Sequence, residues 1–397
     1  MKIAIAGYGT VGGGVARILA KNAQTIARRA GQPLELGAIL VRRDFPGDPF
    51  ESHMVRDFSA IEQDDATQLV VETIGGCGVA LDICTRALRR GKHVVTANKQ
   101  LVAEHGAELI ALAQRHGCQF LFEASVGGGI PVLHPLNECL DANIVNDVTG
   151  ILNGTTNYIL TQMLENGAEY ADALAQAQRL GYAEADPTAD VEGIDAGRKA
   201  CILADIAYGR QIPPERVSMR GISGITALDA RFAAAAGMKI KLLGRAIRAN
   251  GGAYVFVCPH FIPQTQMLAC VGDVFNAVSV SASEVGNVVF YGPGAGRFPT
   301  ASAVVGDIID IARHPDRPQP FHWESDGAAA LLDASNYPAR FFVRSRAPRA
   351  ALEQALGKID WLPEQAGVQG GITAETTRRA LEASGAALDA VYPIFEV

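Results

Sequence analysis

The sequence predicts an α/β protein in three parts: a doubly wound parallel sheet, an α+β domain, and a short C-terminal unit of strands and helices. Three observations carry this. Strand-like and helix-like segments alternate over the first 125 residues, the pattern of a parallel sheet covered on both faces. The strand-like segments are apolar almost throughout, as burial on both sides requires. Beyond Glu123 that rhythm stops at Gly127-Gly128-Gly129, and a mixed pattern takes over.

The elements follow in order. Lys2–Ala6 reads as a strand and Val11–Ala30 as a helix ending at Gly31. Strands are expected at 34–41, 68–72, 92–96 and 119–123, with helices at 79–90 and 100–116. Pro131 then opens a helix to Leu140, since Pro is tolerated in a first turn. A strand at 144–152, helices near 158–165 and 170–180, and a long helix at 195–208 come next. Strand signals return at 254–258, 277–280 and 288–291. Three Pro among charged residues at 313–320 suggest a linker, followed by strand 340–344, helix 349–356, a weak strand near Ile359, helix 374–384 and strand 390–397. The expected divisions are 1–128, 129–312, a linker at 313–337, and 338–397.

Composition narrows the function. The chain is 48% hydrophobic and 19% charged with a net charge of −7, so it can bury a large core and lacks the basic excess of a nucleic-acid binder. No apolar run reaches the roughly 20 residues of a membrane span, and no signal peptide is evident. The seven Cys are scattered, with no Cys-x-x-Cys or Cys/His spacing that suits zinc. The sequence thus predicts a cytoplasmic protein whose thiols are reduced.

Gly7-Tyr8-Gly9-Thr10-Val11-Gly12 follows a strand and opens a helix, the context that makes G-x-G-x-x-G a dinucleotide fingerprint of a Rossmann-type domain. The helix N-terminus offers N–H groups to phosphate. An acidic residue ending the second strand would favour NAD. Glu35 instead falls at that strand's start, and its far end reads Val41-Arg42-Arg43. Arg42 and Arg43 suit a 2′-phosphate, so NADP is expected, with NAD the alternative.

Thr96-Ala97-Asn98-Lys99 lies at the carboxyl end of a parallel strand, where ligands bind such sheets. The densest polar constellation runs from Gly181 through Tyr182, Glu184 and Asp190 to Asp195 and Lys199. Asp195 and Lys199 share a helical face. That stripe continues into Ile202 and Ile206, so the polar pair lies on the side that becomes buried. Carboxylates beside a lysine suit a substrate carrying an ammonium and a hydroxyl.

With Glu123–Pro131, Gly150–Ile159 and Gly292-Pro293-Gly294-Ala295-Gly296 added, the order and spacing of these motifs resemble homoserine dehydrogenase over about residues 1–312. The resemblance implies reversible oxidation of L-homoserine to L-aspartate 4-semialdehyde. It implies Lys199 as the proton-transfer lysine and Lys99 as a second lysine beside the nicotinamide. Glu184, Asp190 and Asp195 would bind homoserine, with Tyr182 and Thr155 lining the pocket. Main-chain oxygens of Glu123, Val126, Gly128 and Ile130 would hold Na⁺ or K⁺, and Gly294 and Gly296 would form a turn back to the cofactor. A homodimer or higher homo-oligomer is also implied.

The tail is similar to an ACT unit but short, and its first loop reads Arg346-Ala347-Pro348-Arg349 where the family usually has an Asp-Arg-Pro-Gly type of turn. Two readings compete with a homoserine dehydrogenase. A nucleotide sensor without chemistry is disfavoured by Lys99, Glu184, Asp195 and Lys199 together. Another semialdehyde reductase is disfavoured by the 181–199 stretch.

Overall fold

The structure is a computed structural model that describes residues 1–396. The chain divides into two compact units: Met1–Ile144 with Cys201–Glu215 and Gly292–Ala328, and Val145–Ala200 with Arg216–Tyr291 and the chain from Ala329 onward.

The first unit holds a six-stranded sheet of β1 (Lys2–Ala6), β2 (Glu35–Leu40), β3 (Met54–Val55), β4 (Thr67–Glu72), β5 (His93–Thr96) and β6 (Phe120–Leu121). All pairs are parallel and the order is β3-β2-β1-β4-β5-β6. Ile3, Ile5, Leu69, Val70, Val94 and Val95 are fully buried, which is why these strands read as unbroken apolar runs.

The first helix differs from expectation. It is two helices, Thr10–Lys21 and Ala23–Ala30, separated at Asn22. The apolar period continues across the break, so periodicity alone hides it. The segment after Pro131 is likewise no α-helix but a single wide turn over Pro135–Cys139. The Pro-rich stretch read as a linker leads into Phe321 and Trp323, whose rings pack on Phe122 at 4.6 and 5.4 Å.

The second unit is built on a mixed sheet of β7 (Val145–Ile151), β8 (Ser218–Met219), β9 (Met238–Ala249), β10 (Gly252–Pro263), β11 (Phe275–Ala282) and β12 (Gly286–Pro293). The order is β12-β11-β7-β9-β10-β8. The long β9–β10 hairpin pairs twelve residues in register. At the C-terminus, Phe341–Ser345, Arg349–Leu356, Ile359–Trp361, Gln369–Thr373, Arg378–Ala383 and Ala390–Pro393 follow a strand-helix-strand-strand-helix-strand order. Their four strands form an antiparallel sheet, the ACT-like arrangement the tail predicts. This sheet is joined to β10: Phe261 stacks on Phe342 at 4.3 Å, and Phe395 N–H donates to the Phe261 carbonyl.

Candidate active site

The Gly-rich turn sits where β1 meets its helix. Gly7 has φ of 103°, in the left-handed region. A side chain at Gly12 would collide with the Gly7 carbonyl oxygen and the Thr73 hydroxyl. These two positions therefore need glycine, one for the turn and one for close approach of helix to strand. Gly9 and Thr10 are exposed, and Val11 is half-buried, at the N-terminus of the helix Thr10–Lys21.

The Gly7 N–H donates to the Leu40 carbonyl at 3.1 Å, so β2 ends beside the Gly-rich turn. Arg42 and Arg43 follow at once, both exposed. Arg43 lies over the Phe45 ring at 5.1 Å. That ring meets Tyr8 edge-on, and the Tyr8 hydroxyl donates to Asp48 at 2.8 Å. The segment carrying both arginines is thus tied to the Gly-rich turn. Glu35 pairs with Lys2 at the other end of β1 and β2.

Lys99 is the first residue of the helix Lys99–Arg115, directly after β5. Asn98 caps this helix by accepting from Leu101 N–H, and its amide donates to the Gly76 carbonyl at 2.6 Å. Buried Glu72, at the end of β4, accepts from Thr96 Oγ1, Ile74 N–H and Gly75 N–H. The loops after β4 and β5 are held together by these bonds at the carboxyl edge of the sheet.

In the second unit, Lys199 and Asp195 are nearly buried, with side chains 11% and 7% exposed. Lys199 Nζ donates to Asp195 Oδ2 at 2.7 Å and to the Leu152 carbonyl at 2.7 Å. Asn153 completes the cluster. Its amide nitrogen donates to Asp190 at 2.7 Å and to Asp195 at 2.9 Å. Its amide oxygen caps the helix Gly154–Asn166 through Thr156 N–H. Sequence reading does not single out Asn153. An Asn ahead of Gly154-Thr155-Thr156 is a cap signal, but its partners lie 37 and 42 residues away.

The other predicted residues are nearby in chain and differ in setting. Thr155 Oγ1 donates to the Tyr182 carbonyl at 2.6 Å. The Tyr182 ring is 44% exposed and meets Tyr158 edge-on at 5.0 Å. Glu184 is exposed, and its carbonyl accepts from Gln178. Asp190, Asp195 and Lys199 form one network through Asn153.

The segment 123–130 folds tightly in the first unit. The Glu123 carboxylate accepts from three successive N–H groups, of Val132, Leu133 and His134. Burial first, then Asp307, push its pKa up, and the three N–H bonds oppose this. Gly127 and Gly128 have positive φ, and a side chain at Gly128 would strike the Gly294 carbonyl oxygen. Gly129 N–H donates to the Pro293 carbonyl, so the 293–296 turn lies on this loop. Gly296 then starts the helix Arg297–Arg313.

A parallel sheet ordered 3-2-1-4-5-6, with a Gly-rich turn after its first strand, is the arrangement that binds dinucleotides at its carboxyl edge. Together with a buried lysine–carboxylate network in a second unit, it defines a nicotinamide-dependent oxidoreductase. Comparison with known proteins makes the class specific. Residues 7–123 match the NAD-binding domain of homoserine dehydrogenase, and residues 131–309 match the homoserine dehydrogenase domain. The homoserine dehydrogenase of Pseudomonas aeruginosa is 46% identical over 314 residues, 79% of this chain and 72% of that protein. The crystal structure of a homoserine dehydrogenase from Thiobacillus denitrificans superposes with a TM-score of 0.90 at 38% identity, covering 99% of this chain and 96% of that one. A hyperthermophilic archaeal homoserine dehydrogenase in complex with NADPH gives a TM-score of 0.66 at 29% identity, over 78% of this chain and 96% of that one.

The chain belongs to the homoserine dehydrogenase family. Its reaction is the reversible NAD(P)-dependent oxidation of L-homoserine to L-aspartate 4-semialdehyde, in the biosynthesis of threonine and methionine. No helix among the described residues is long and apolar enough to cross a membrane.

Proposed function

We propose that this homoserine dehydrogenase prefers NADP and moves the substrate proton through Lys199. The observation that carries the second point is the donor count at Nζ. An ammonium has three N–H donors, and two are committed to Asp195 and the Leu152 carbonyl. The third position, an N–H in the ammonium and a lone pair in the neutral amine, serves the substrate oxygen. NADP, when bound, supplies the acceptor for the hydride that leaves C4 of homoserine. As that hydride leaves, Lys199 as the neutral amine takes the hydroxyl proton, directly or through a water, and as the ammonium returns it in the reverse reaction. Asp195 and Asn153 hold Nζ in place. Asp190 and Glu184 bind the substrate ammonium, and Tyr182 and Thr155 line its pocket. Lys99 supports the nicotinamide side.

The cofactor preference rests on Arg42 and Arg43, exposed beside the Gly-rich turn, and on Glu35 lying at the opposite strand end. The residues Gly7, Tyr8, Gly9, Thr10, Val11 and Gly12 cradle the pyrophosphate, and Gly294 and Gly296 complete that edge. Adding L-homoserine to separate solutions with NADP and with NAD tests this reading. Faster reduction of NADP at equal concentration supports it, and preference for NAD overturns it.

The 123–130 loop is proposed to hold Na⁺ or K⁺ through main-chain oxygens of Glu123, Val126, Gly128 and Ile130. Support comes from Ser125, whose hydroxyl is buried without a partner in the chain; such a group asks for a ligand or water. The protein is further proposed to be a cytoplasmic homodimer. Tyr291 and Phe275 stack at 5.4 Å on β12 and β11 while 57% and 37% exposed. An apolar pair beside an open sheet edge suits a second copy. Light scattering on the purified protein checks the mass.

A further inference from the structure

Two groups of three metal-ligating side chains occur in the first unit, outside the residues assigned above. His134, Glu138 and Asp310 form one, and Cys77, Glu104 and His105 the other. The first is already neutralised. Arg317 pairs with both Glu138 and Asp310, and His134 Nε2 is bonded to Asp307 at 3.0 Å. A cation there would have to displace a guanidinium.

The second group is different in kind. It offers a thiol, a carboxylate and an imidazole, with ligand atoms all within 4.8 Å of one another. Cys77 Sγ lies 3.1 Å from Glu104 Oε2. A tetrahedral zinc with a thiolate and an oxygen ligand separates those atoms by about 3.5 Å. Side-chain rotation of a few tenths of an ångström, plus a modest swing of the half-exposed His105, therefore closes the set. His105 Nδ1 lies 3.6 Å from Glu108. If Nε2 ligates, this carboxylate stands behind the ring, as carboxylates commonly do for metal-bound histidines.

The frame is built rather than loose. Cys77 follows Gly75 and Gly76, whose φ values of 85° and 68° fix a turn after β4. Glu72 accepts from the Ile74 and Gly75 N–H groups on one side of the turn, and Asn98 binds the Gly76 carbonyl on the other. Glu104 and His105 stand on the second turn of the helix that Asn98 caps. We propose that Cys77, Glu104 and His105 form a site for one borderline-soft divalent ion of the zinc class, with a water in the fourth position. Binding converts the Cys77 thiol to a thiolate and releases its proton to solvent. The ion clamps the turn after β4 to the helix after β5, at the carboxyl edge of the sheet.

Cobalt(II) alone is the probe, since its thiolate bond gives a charge-transfer absorption that zinc lacks. Titrating the full chain with Co²⁺ should give that band with one-to-one stoichiometry, bleached by added Zn²⁺. Cys77→Ser should abolish it. His105→Gln should weaken binding about tenfold or more, as loss of a supporting group alone can do. The double variant Cys139→Ser/Cys270→Ser, which removes the two exposed thiols, should keep the band. No thiolate band with wild type, or a band surviving Cys77→Ser, overturns the site. Thermal melts of each variant, without metal, show that it is folded.

Discussion

Lys199 and Asp195, one helical turn apart, are joined by a 2.7 Å ion pair in a region where both side chains are almost excluded from water. Two charges so placed cost more to desolvate than a single contact returns, unless further hydrogen bonds complete them. Here they are completed, on one side by the Leu152 carbonyl and on the other by the Asn153 amide. The network fixes the position of Lys199 Nζ, the group proposed to meet a substrate oxygen. This is a use of buried polarity that an apolar replacement would not reproduce.

Asn153 has two tasks that substitution can separate. Asn153→Ala removes a helix cap, typically worth about 1 kcal/mol, and leaves Asp190 and Asp195 without their shared donor. Asn153→Ser restores a cap but is too short to reach both carboxylates. We expect the Ser variant to recover most of the melting temperature lost in the Ala variant and little of its activity. Recovery of both by Ser would show that only the cap matters.

Five strands of the parallel sheet are legible as largely apolar runs, several of them bounded by glycine turns, whereas β3, two half-buried residues at Met54–Val55, is too short to show a pattern. β9 is not legible, for a physical reason. It carries Lys239, Lys241, Arg245 and Arg248, which read as solvated positions. Yet Lys241 and Arg245 are only 2% and 3% exposed. Lys241 is satisfied by Asn157 and the Val271 carbonyl, and Arg245 by Asp147 and Thr149. Partners 30 to 98 residues distant decide that burial, and no local pattern reports them. The same holds for Asn153, whereas Asp195 and Lys199 betray themselves by sharing one helical turn.

The cofactor prediction follows from Arg42 and Arg43. Charge-assisted hydrogen bonds contribute about 1.5–3 kcal/mol, so replacing both by Ala should weaken NADP about tenfold or more. NAD, which lacks the 2′-phosphate, should be affected far less. Dissociation constants for both cofactors decide the point, and equal losses would show that the pair does not read the phosphate.

A pH prediction follows from His134. Burial alone would lower its pKa, but the hydrogen bond to Asp307 and the charges of Asp307 and Glu123 outweigh this and raise it from 6.5 to about 9. The pair therefore stabilises the fold fully below about pH 6.5 and loses its contribution as pH rises through about 9. His134→Gln should lower the melting temperature most at pH 6. The gap between variant and wild type should shrink steadily from pH 7 to above 9. A gap that does not narrow over that interval would remove the charged form from the account.

The proton prediction concerns Lys199. Removing a positioned acid/base group costs about 10²–10⁴-fold in rate, so Lys199→Ala should reduce kcat by that factor. The overall equilibrium belongs to the substrates and not to the enzyme. Homoserine oxidation and semialdehyde reduction should therefore fall together at matched conditions. NADP affinity should stay near wild type, because the fingerprint and the arginines belong to the first unit while Lys199 belongs to the second. Asp195 keeps its bond from Asn153 in this variant, so the carboxylate retains a partner and a melting curve can verify folding. A folded Lys199→Ala enzyme that keeps more than about a tenth of the wild-type kcat, inside the lower bound of that range, would move proton transfer elsewhere. Lys99, at the carboxyl edge of the parallel sheet, would then be the residue to test.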